Sequence, residues 1–352
     1  MISRRSATAL TLCLTFGGAG AVSPLSAQTR GSESAEWTVP RTAHGQPDLQ
    51  GTWSIATITP FERPPDVATQ FYTPEEVQRI ERGEQDRFLS RLEPSDPDRE
   101  VLAAANSPGG YNGIYFDRGD RLAVVRGKVR TSIVATEDGK VRPLTPEGRR
   151  RIDAYSADRS KFGEYDHPEL RPLGERCLIS FGSSLGPPML PNYNYNNNYT
   201  IVQDANHVMI MAEMVHDTRI IRLGEREPLA EDIRLWFGDS WGHWEGTTLV
   251  VETTNMHPDQ IYRRDGEMKM MPSKNHKVVE RFTRVDEDAI LYEFEIQDPT
   301  TYTQSWGGAL PLNRFDDQLF EYACHEGNYA LQGILSGARY QERMRTEGAT
   351  SN

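Results

Sequence analysis

Cysteine is scarce in this chain: three in 352 residues, at positions 13, 177 and 324. So low a count rules out a small disulfide-dense scaffold. With no Cys-x-x-Cys pair, neither haem attachment nor a thioredoxin-type site is indicated. Basic residues are also short, with 39 Lys and Arg against 51 Asp and Glu, a formal charge of −12 and no basic run. Phosphate backbones and anionic lipid surfaces demand clustered cations, so no nucleic acid and no such surface is expected as partner. Beyond the first two dozen residues no segment is long and apolar enough to span a bilayer, so no integral membrane segment is expected in the mature chain. A Gly-x-Ser-x-Gly elbow, a Walker-type phosphate loop, a His-Glu-x-x-His pair and a Gly-x-Gly-x-x-Gly turn after a strand are all missing. Their absence removes the common hydrolase, nucleotide, zinc-protease and dinucleotide signatures.

What is present begins with an address label. Arg4 and Arg5 precede an apolar or small run from Ser6 to Val22, and Leu25-Ser26-Ala27 follows. A positive start, a short apolar middle and a small residue before the cut describe a secretory signal peptide over 1–27. Ser3-Arg4-Arg5 fits the twin-arginine route, and paired basic residues also open general secretory signals. The expected location is periplasmic or secreted. Cleavage leaves 325 residues and, with Arg4 and Arg5 gone, a formal charge of −14. Cys177 and Cys324 stay in the mature chain. In an oxidising compartment they can pair, closing a loop of roughly 147 residues worth about 4–5 kcal/mol, or they can be two separate buried thiols.

The mature chain divides by texture. Region 28–175 is rich in Pro and Gly and is expected to supply two helices and one strand that joins a barrel. Thr73-Pro74-Glu75-Glu76 has a Thr cap, Pro at the first helical position and Glu at the third, which predicts a helix to about Leu92. Thr145-Pro146-Glu147 predicts a second, to about Tyr155. In 176–352 the apolar period becomes two. Strands are expected over 199–203, 207–215, 218–223, 232–237, 247–254, 276–285, 289–297 and 317–324, then a helix from about Tyr329 to Arg345. Short polar connections such as Asp204-Ala205-Asn206 favour antiparallel neighbours. The expected fold is mainly β: an antiparallel lipocalin-like barrel or curved sheet with a few peripheral helices.

Several segments resemble a family of uncharacterised exported bacterial proteins: Pro47-Asp48-Leu49-Gln50-Gly51-Thr52-Trp53, Glu175-Arg176-Cys177, Gly238-Asp239-Ser240, Trp244-Glu245-Gly246-Thr247-Thr248-Leu249-Val250-Val251, His276 to Phe282, and Glu321-Tyr322-Ala323-Cys324-His325-Glu326-Gly327-Asn328. Together they cover most of the mature chain, and the resemblance implies no assigned reaction. Gly51-Thr52-Trp53 with a C-terminal helix is also similar to the outline of lipocalins, which implies a calycin-type barrel.

Histidines beside carboxylates carry the chemistry that can be read. Glu213, His216 and Asp217 end one expected strand, Asp239, His243 and Glu245 lie between two others, His276 and Glu280 share a strand face, and His325 and Glu326 follow Cys324. A carboxylate can fix the tautomer of a histidine that moves protons, and several such groups together can bind a divalent metal. The catalytic candidates are His276, Glu280, His325, Glu326, His216 and Asp217. The metal and any cofactor stay open, since the spacing matches no metal motif. Each pair can equally be a turn cap or a buried hydrogen-bond pair. Trp236, Trp241, Trp244, Tyr292 and Trp306 are the candidate ligand-binding aromatics, or else barrel core. Three readings follow. The first is a barrel binding a small apolar or aromatic molecule. The second is a lyase, isomerase or hydrolase, with or without a metal, in which His276, Glu280, His325 and another carboxylate converge. The third is a structural protein of the cell envelope.

Overall fold

A computed structural model describes residues 37–92, 118–180, 185–191, 195–260, 262–264 and 268–350. The expected signal peptide lies outside them. In chain order the strands are β1 (Gly51–Ser54), β2 (Val124–Val125), β3 (Lys128–Val129), β4 (Asn198–Gln203), β5 (His207–Ala212), β6 (Thr218–Leu223), β7 (Asp239–Glu245), β8 (Thr248–Thr254), β9 (Tyr262–Arg264), β10 (Met268–Met270), β11 (Lys277–Arg284), β12 (Ala289–Gln297) and β13 (Trp306–Arg314). Nine of them close a barrel in the order β1-β13-β12-β11-β8-β7-β6-β5-β4, while β2–β3 and β9–β10 are separate two-stranded ribbons. The protein is therefore mainly β, with helices α1 (Pro74–Leu92), α2 (Pro146–Arg159) and α3 (Ala330–Thr350) outside the barrel wall.

Local chemistry accounts for the element ends. Thr73 and Glu76 form the reciprocal capping box, with Thr73 N–H on Glu76 Oε2 at 2.8 Å and Glu76 N–H on Thr73 Oγ1 at 3.3 Å. Thr145 Oγ1 caps α2 by accepting from Gly148 N–H at 2.9 Å. At the β4–β5 turn, Asp204 Oδ1 takes the N–H groups of Asn206 and His207, each at 2.7 Å.

Two expected strands are not strands. Residues 232–237 form a turn with a single bridge from Leu235 to Met256. Asn255 Nδ2 gathers the carbonyls of Ala230 and Ile233 there, and that local satisfaction competes with a ladder. The expected strand at 317–324 is an irregular strap between β13 and α3. The 207–215 run stops at Ala212, because Val215 and His216 take positive φ, 63° and 47°. Conversely, β13 was not foreseen, since Gly307, Gly308 and Pro311 argue against a strand. The structure explains them. A Cβ on Gly307 would lie 2.0 Å from the Phe294 carbonyl oxygen, and one on Gly308 would lie 2.7 Å from the Phe294 ring. Pro311 sits where β1, which reaches only Asn313 and Arg314, gives β13 no second strand neighbour. The all-antiparallel expectation also fails at one seam, for β6 and β7 run parallel. The chain needs 224–238 to travel back along the wall between them.

Register fixes which side chains face inward. Val278, Glu280 and Phe282 of β11 pair with Ile296, Phe294 and Tyr292 of β12, and these six are buried. Trp53, Tyr199, Ile210, Ile221, Leu249, Val251, Leu310 and Leu312 complete the same core cluster. Residues 185–191 are buried too, and Leu185, Met189 and Leu190 belong to that cluster, so a chain segment fills part of the lumen. Gly186 makes the segment possible: its φ is +70°, and a Cβ there would lie 2.2 Å from the carbonyl of Pro188.

Candidate functional site

The starts of β4, β6, β7, β11 and β13 and the ends of β1, β5, β8 and β12 meet at one rim of the barrel, and the polar groups of interest lie on or below it. Below it, Glu280 is wholly buried. Its carboxylate accepts from Arg219 Nη1 and Nη2 at 2.7 and 3.0 Å and from the Tyr292 hydroxyl at 2.8 Å. Tyr292 Oη in turn accepts the Met189 N–H at 2.8 Å. Burial, then the adjacent Glu280 charge, pushes the Tyr292 hydroxyl well above its ordinary pKa, so it stays a donor. This chain of bonds ties β6, β11, β12 and the lumen segment together. It occupies the Glu280 carboxylate on three sides and leaves His276 to another partner.

That partner is Asp298, which the sequence reading did not single out. His276 Nδ1 lies 3.2 Å from Asp298 Oδ2, and both side chains are buried. Asp298 also accepts from Ser273 N–H and Oγ–H and from Thr301 N–H, at 2.9, 2.7 and 3.1 Å. Burial works against the charge, but the bonds from His276 and Ser273 outweigh it and hold the Asp298 carboxyl well below the usual range. A carboxylate acceptor makes Nδ1 the protonated nitrogen of neutral His276. Its Nε2 is buried and has no hydrogen-bond partner among the described residues. Because the folded pKa of Asp298 is depressed, its stabilisation is present above the ordinary carboxyl pKa and is lost as pH falls below it. Asp298→Asn should therefore lower the denaturant midpoint at pH 7, and the difference from wild type should shrink in acid. Equal midpoints at pH 7 would show that the cluster contributes nothing.

On the rim itself, the corner from Glu213 to Asp217 joins β5 to β6. Glu213 is buried, with Asn198 Nδ2 on Oε2 at 2.8 Å and the Phe320 N–H of the strap on Oε1 at 3.0 Å. Val215 and His216 sit in the left-handed region, where a β-branched residue is strained by about 1–3 kcal/mol. The surrounding bonds, including Ala212 N–H to the Asp217 carbonyl at 2.9 Å, hold the corner in this shape. The exposed His216 has Nδ1 3.3 Å from the Tyr322 carbonyl. A carbonyl only accepts, so Nδ1 carries the proton and Nε2 has the free lone pair of the neutral ring. Asp217 is half-buried. Desolvation drives its carboxyl up to about 7, against the lowering influence of His216, and no side-chain hydrogen bond holds it among the described residues. Tyr322 stacks near Tyr195 at 6.5 Å and 18°, and burial followed by the Tyr195 interaction pushes its hydroxyl up to about 12.

His325 and Glu326 are exposed in the turn after Cys324, and His276 bonds neither of them, so the foreseen convergence of His276, Glu280 and His325 is replaced by two separate pairings. The aromatic candidates also divide. Trp244, Tyr292 and Trp306 take inward positions, and Trp306 packs edge-on against Phe61, Phe294 and Tyr302. Trp241 faces outward beneath Arg222 at 4.3 Å, and Trp236 stacks on His257 at 4.2 Å. Arg219, Asn198, Tyr322 and Asp298 were missed. Only Arg219 left a trace in the sequence, as a cation among alternating apolar residues in β6. Cys177 and Cys324 do form a disulfide, which ties the strap to the 171–180 turns. Among the described residues no group of three or more His, Cys, Asp or Glu is placed to hold a metal ion, and no helix is long and apolar enough to cross a membrane. Comparison with protein-family models, with curated proteins and with solved structures finds no match to this chain.

Proposed function

We propose that this is an exported acid–base enzyme, of the lyase, isomerase or hydrolase type, whose proton-handling pair is His216 and Asp217 on the barrel rim. The observation that carries the reading is the pairing itself. An imidazole with its tautomer set by the Tyr322 carbonyl adjoins a carboxyl raised to about 7, and among the described residues neither its Nε2 nor that carboxyl has a hydrogen-bond partner. Near neutral pH one group can accept a proton while the other supplies one, and such positioned groups contribute typically about 10²–10⁴-fold in rate. The strained corner supports the same reading, since strain held in place by its surroundings concentrates at working sites. The disulfide is compatible with an oxidising compartment, as export requires.

The test is incubation of the mature protein in D2O with the small-molecule fraction of a bacterial periplasm, followed by mass spectrometry. Compounds that gain deuterium, split or rearrange with wild type should do so about 100-fold more slowly with His216→Ala or Asp217→Asn. No difference between the three proteins would defeat the proposal.

The Asp217 carboxyl gives a separate check. Its folded pKa is raised, so the fold binds the extra proton and loses stability as pH climbs from the ordinary carboxyl range through about 7. Asp217→Asn should be level with wild type near pH 4 and about 1–3 kcal/mol more stable at pH 8. A carboxyl resonance of Asp217 that titrates near 4 would refute the assignment.

A second reading, a small-molecule binding barrel, has its own support in the buried Nε2 of His276 and Nε1 of Trp306, neither bonded among the described residues. Native mass spectrometry of protein purified from a periplasm would favour it if an organic mass is retained by wild type and lost by His276→Ala.

A further inference from the structure

The strap between β13 and α3 covers the Glu213–Asp217 corner but is poorly suited to stay there by itself. It contains no strand from Phe315 to Tyr329. Phe320 and Tyr329 are 76% and 78% exposed, and Phe315, Leu319 and Tyr322 are only partly buried, so the hydrophobic contribution to docking is small. Asp316, Asp317, Glu321 and Glu326 give it four acids and no Lys or Arg, and it lies over a corner that carries two more acids. Among the described residues the bonds that seat it are few, beside the contact of Tyr322 with Tyr195. Phe315 N–H reaches the Thr52 carbonyl at 3.0 Å, Phe320 N–H reaches Glu213, His216 reaches the Tyr322 carbonyl, and Asn328 Nδ2 reaches Cys177 Sγ at 3.3 Å and the Glu175 carbonyl at 3.4 Å. The one covalent tie is Cys177–Cys324, placed two residues after Tyr322.

We propose that the Cys177–Cys324 disulfide is a thiol-reducible latch that holds the strap on the Glu213–Asp217 corner and so assembles the site. This deepens the reading of that corner as the acid–base centre and identifies a control on it. When a dithiol reduces the bond, the S–S link breaks, each sulfur gains a hydrogen, and the reagent is oxidised to its cyclic disulfide. The strap then loses its covalent anchor. Tyr322 leaves His216, the buried Glu213 carboxylate meets water, and the acceptor that fixes the His216 tautomer is gone. The barrel keeps every one of its strand pairings without the latch, because the strap contributes no strand to it.

The experiment is amide hydrogen exchange on the full mature chain, oxidised and after dithiothreitol, with free thiols verified by alkylation and mass. Reduction should speed exchange about tenfold or more over 315–329 and at 213–217, while β11 and β12 keep their protection. As a second readout, the Asp217 carboxyl midpoint should fall from about 7 toward the ordinary range as water enters. Glu213→Gln in the oxidised protein should leave the strap in place, since the latch is intact.

Unchanged exchange over 315–329 and 213–217 with both thiols free would overturn the latch. Equal acceleration throughout the barrel, or a Cys177→Ala/Cys324→Ala variant that fails to fold, would overturn it too, by making the disulfide a general staple. None of these readouts needs turnover. A latch that behaves as expected in a protein whose His216 and Asp217 variants change no reaction would separate this inference from the enzyme reading.

Discussion

Glu280→Ala should destabilise the protein by about 3–5 kcal/mol, because it removes one partner of a buried ion pair. The Arg219 side chain is 2% exposed, and its guanidinium gives two hydrogen bonds to the Glu280 carboxylate. Removing the carboxylate costs that cation both hydrogen bonds and also takes away the acceptor for the Tyr292 hydroxyl, whose oxygen anchors the lumen segment through Met189 N–H. The loss should therefore exceed that of an exposed pair such as Arg281 with Glu245, which is worth about 0–1 kcal/mol. The double variant Arg219→Met/Glu280→Leu should recover much of the deficit, since apolar replacements of a buried pair are often neutral. Urea denaturation of the two single variants and the double variant, read as a cycle, decides it. Single variants within about 1 kcal/mol of wild type would mean that water reaches the pair and that the charges are not truly buried. The same series bears on chemistry: a wholly buried carboxylate bonded on three sides is a structural group, and Glu280→Gln should spare a reaction carried by His216 and Asp217.

The contrast between Glu280 and Asp298 shows what sequence could reveal. Alternation from Tyr292 to Gln297 made β12 legible, because a half-buried strand must alternate. The Thr73–Glu76 capping box and the Thr145 cap placed the starts of α1 and α2, while His276, expected within the strand with Glu280, lies one residue before β11. What no alternation encodes is the partner across the barrel. Arg219 and Glu280 are 61 residues apart in sequence, and His276 and Asp298 are 22 apart. The first pairing crosses the lumen and depends on barrel closure, whereas His276 and Asp298 stand opposite each other one residue beyond the Lys277–Gln297 pair of the β11–β12 hairpin and need only its register. Strand β13 was hidden because its glycines and proline answer to tertiary neighbours: Phe294 crowds Gly307 and Gly308, and Pro311 lacks a strand on one side. The strap was misread for the opposite reason. Phe320, Tyr322 and Cys324 fall at every second position as they would in a strand, yet Phe320 is left in solvent and the disulfide and Glu213 fix the path instead. The rim corner was half legible. Its His and Asp stood out, but the left-handed backbone at Val215 and His216 that aims them is not something a Val residue advertises.

Trp53→Ala is the second large effect, about 3–5 kcal/mol for removal of a fully buried tryptophan, and its location matters more than its size. β1 has only four residues, and it joins β13 to β4 and so closes the barrel. Trp53 is the inward member of that short strand. Its Nε1–H donates to the Leu49 carbonyl at 2.9 Å, and Arg284 and Arg314 pack on its ring at 4.9 and 5.0 Å. Arg284 is itself held by the carbonyls of Asp48, Asp286 and Glu287 at 3.0, 3.0 and 2.5 Å, so the ring, the segment before β1 and the β11–β12 turn form one closure. Trp53→Phe should cost less, about 1–2 kcal/mol, because it keeps an aromatic face for the arginines and loses chiefly the Nε1 bond and some volume. The distinguishing result is regional. If β1 is the closing seam, Trp53→Ala should raise amide exchange in β1, in β4 and at Asn313 and Arg314 of β13 before it does so in β8 and β11, which pair on both sides with long neighbours. Uniform acceleration around the barrel would show that the seam is no weaker than the wall and that Trp53 acts as ordinary core.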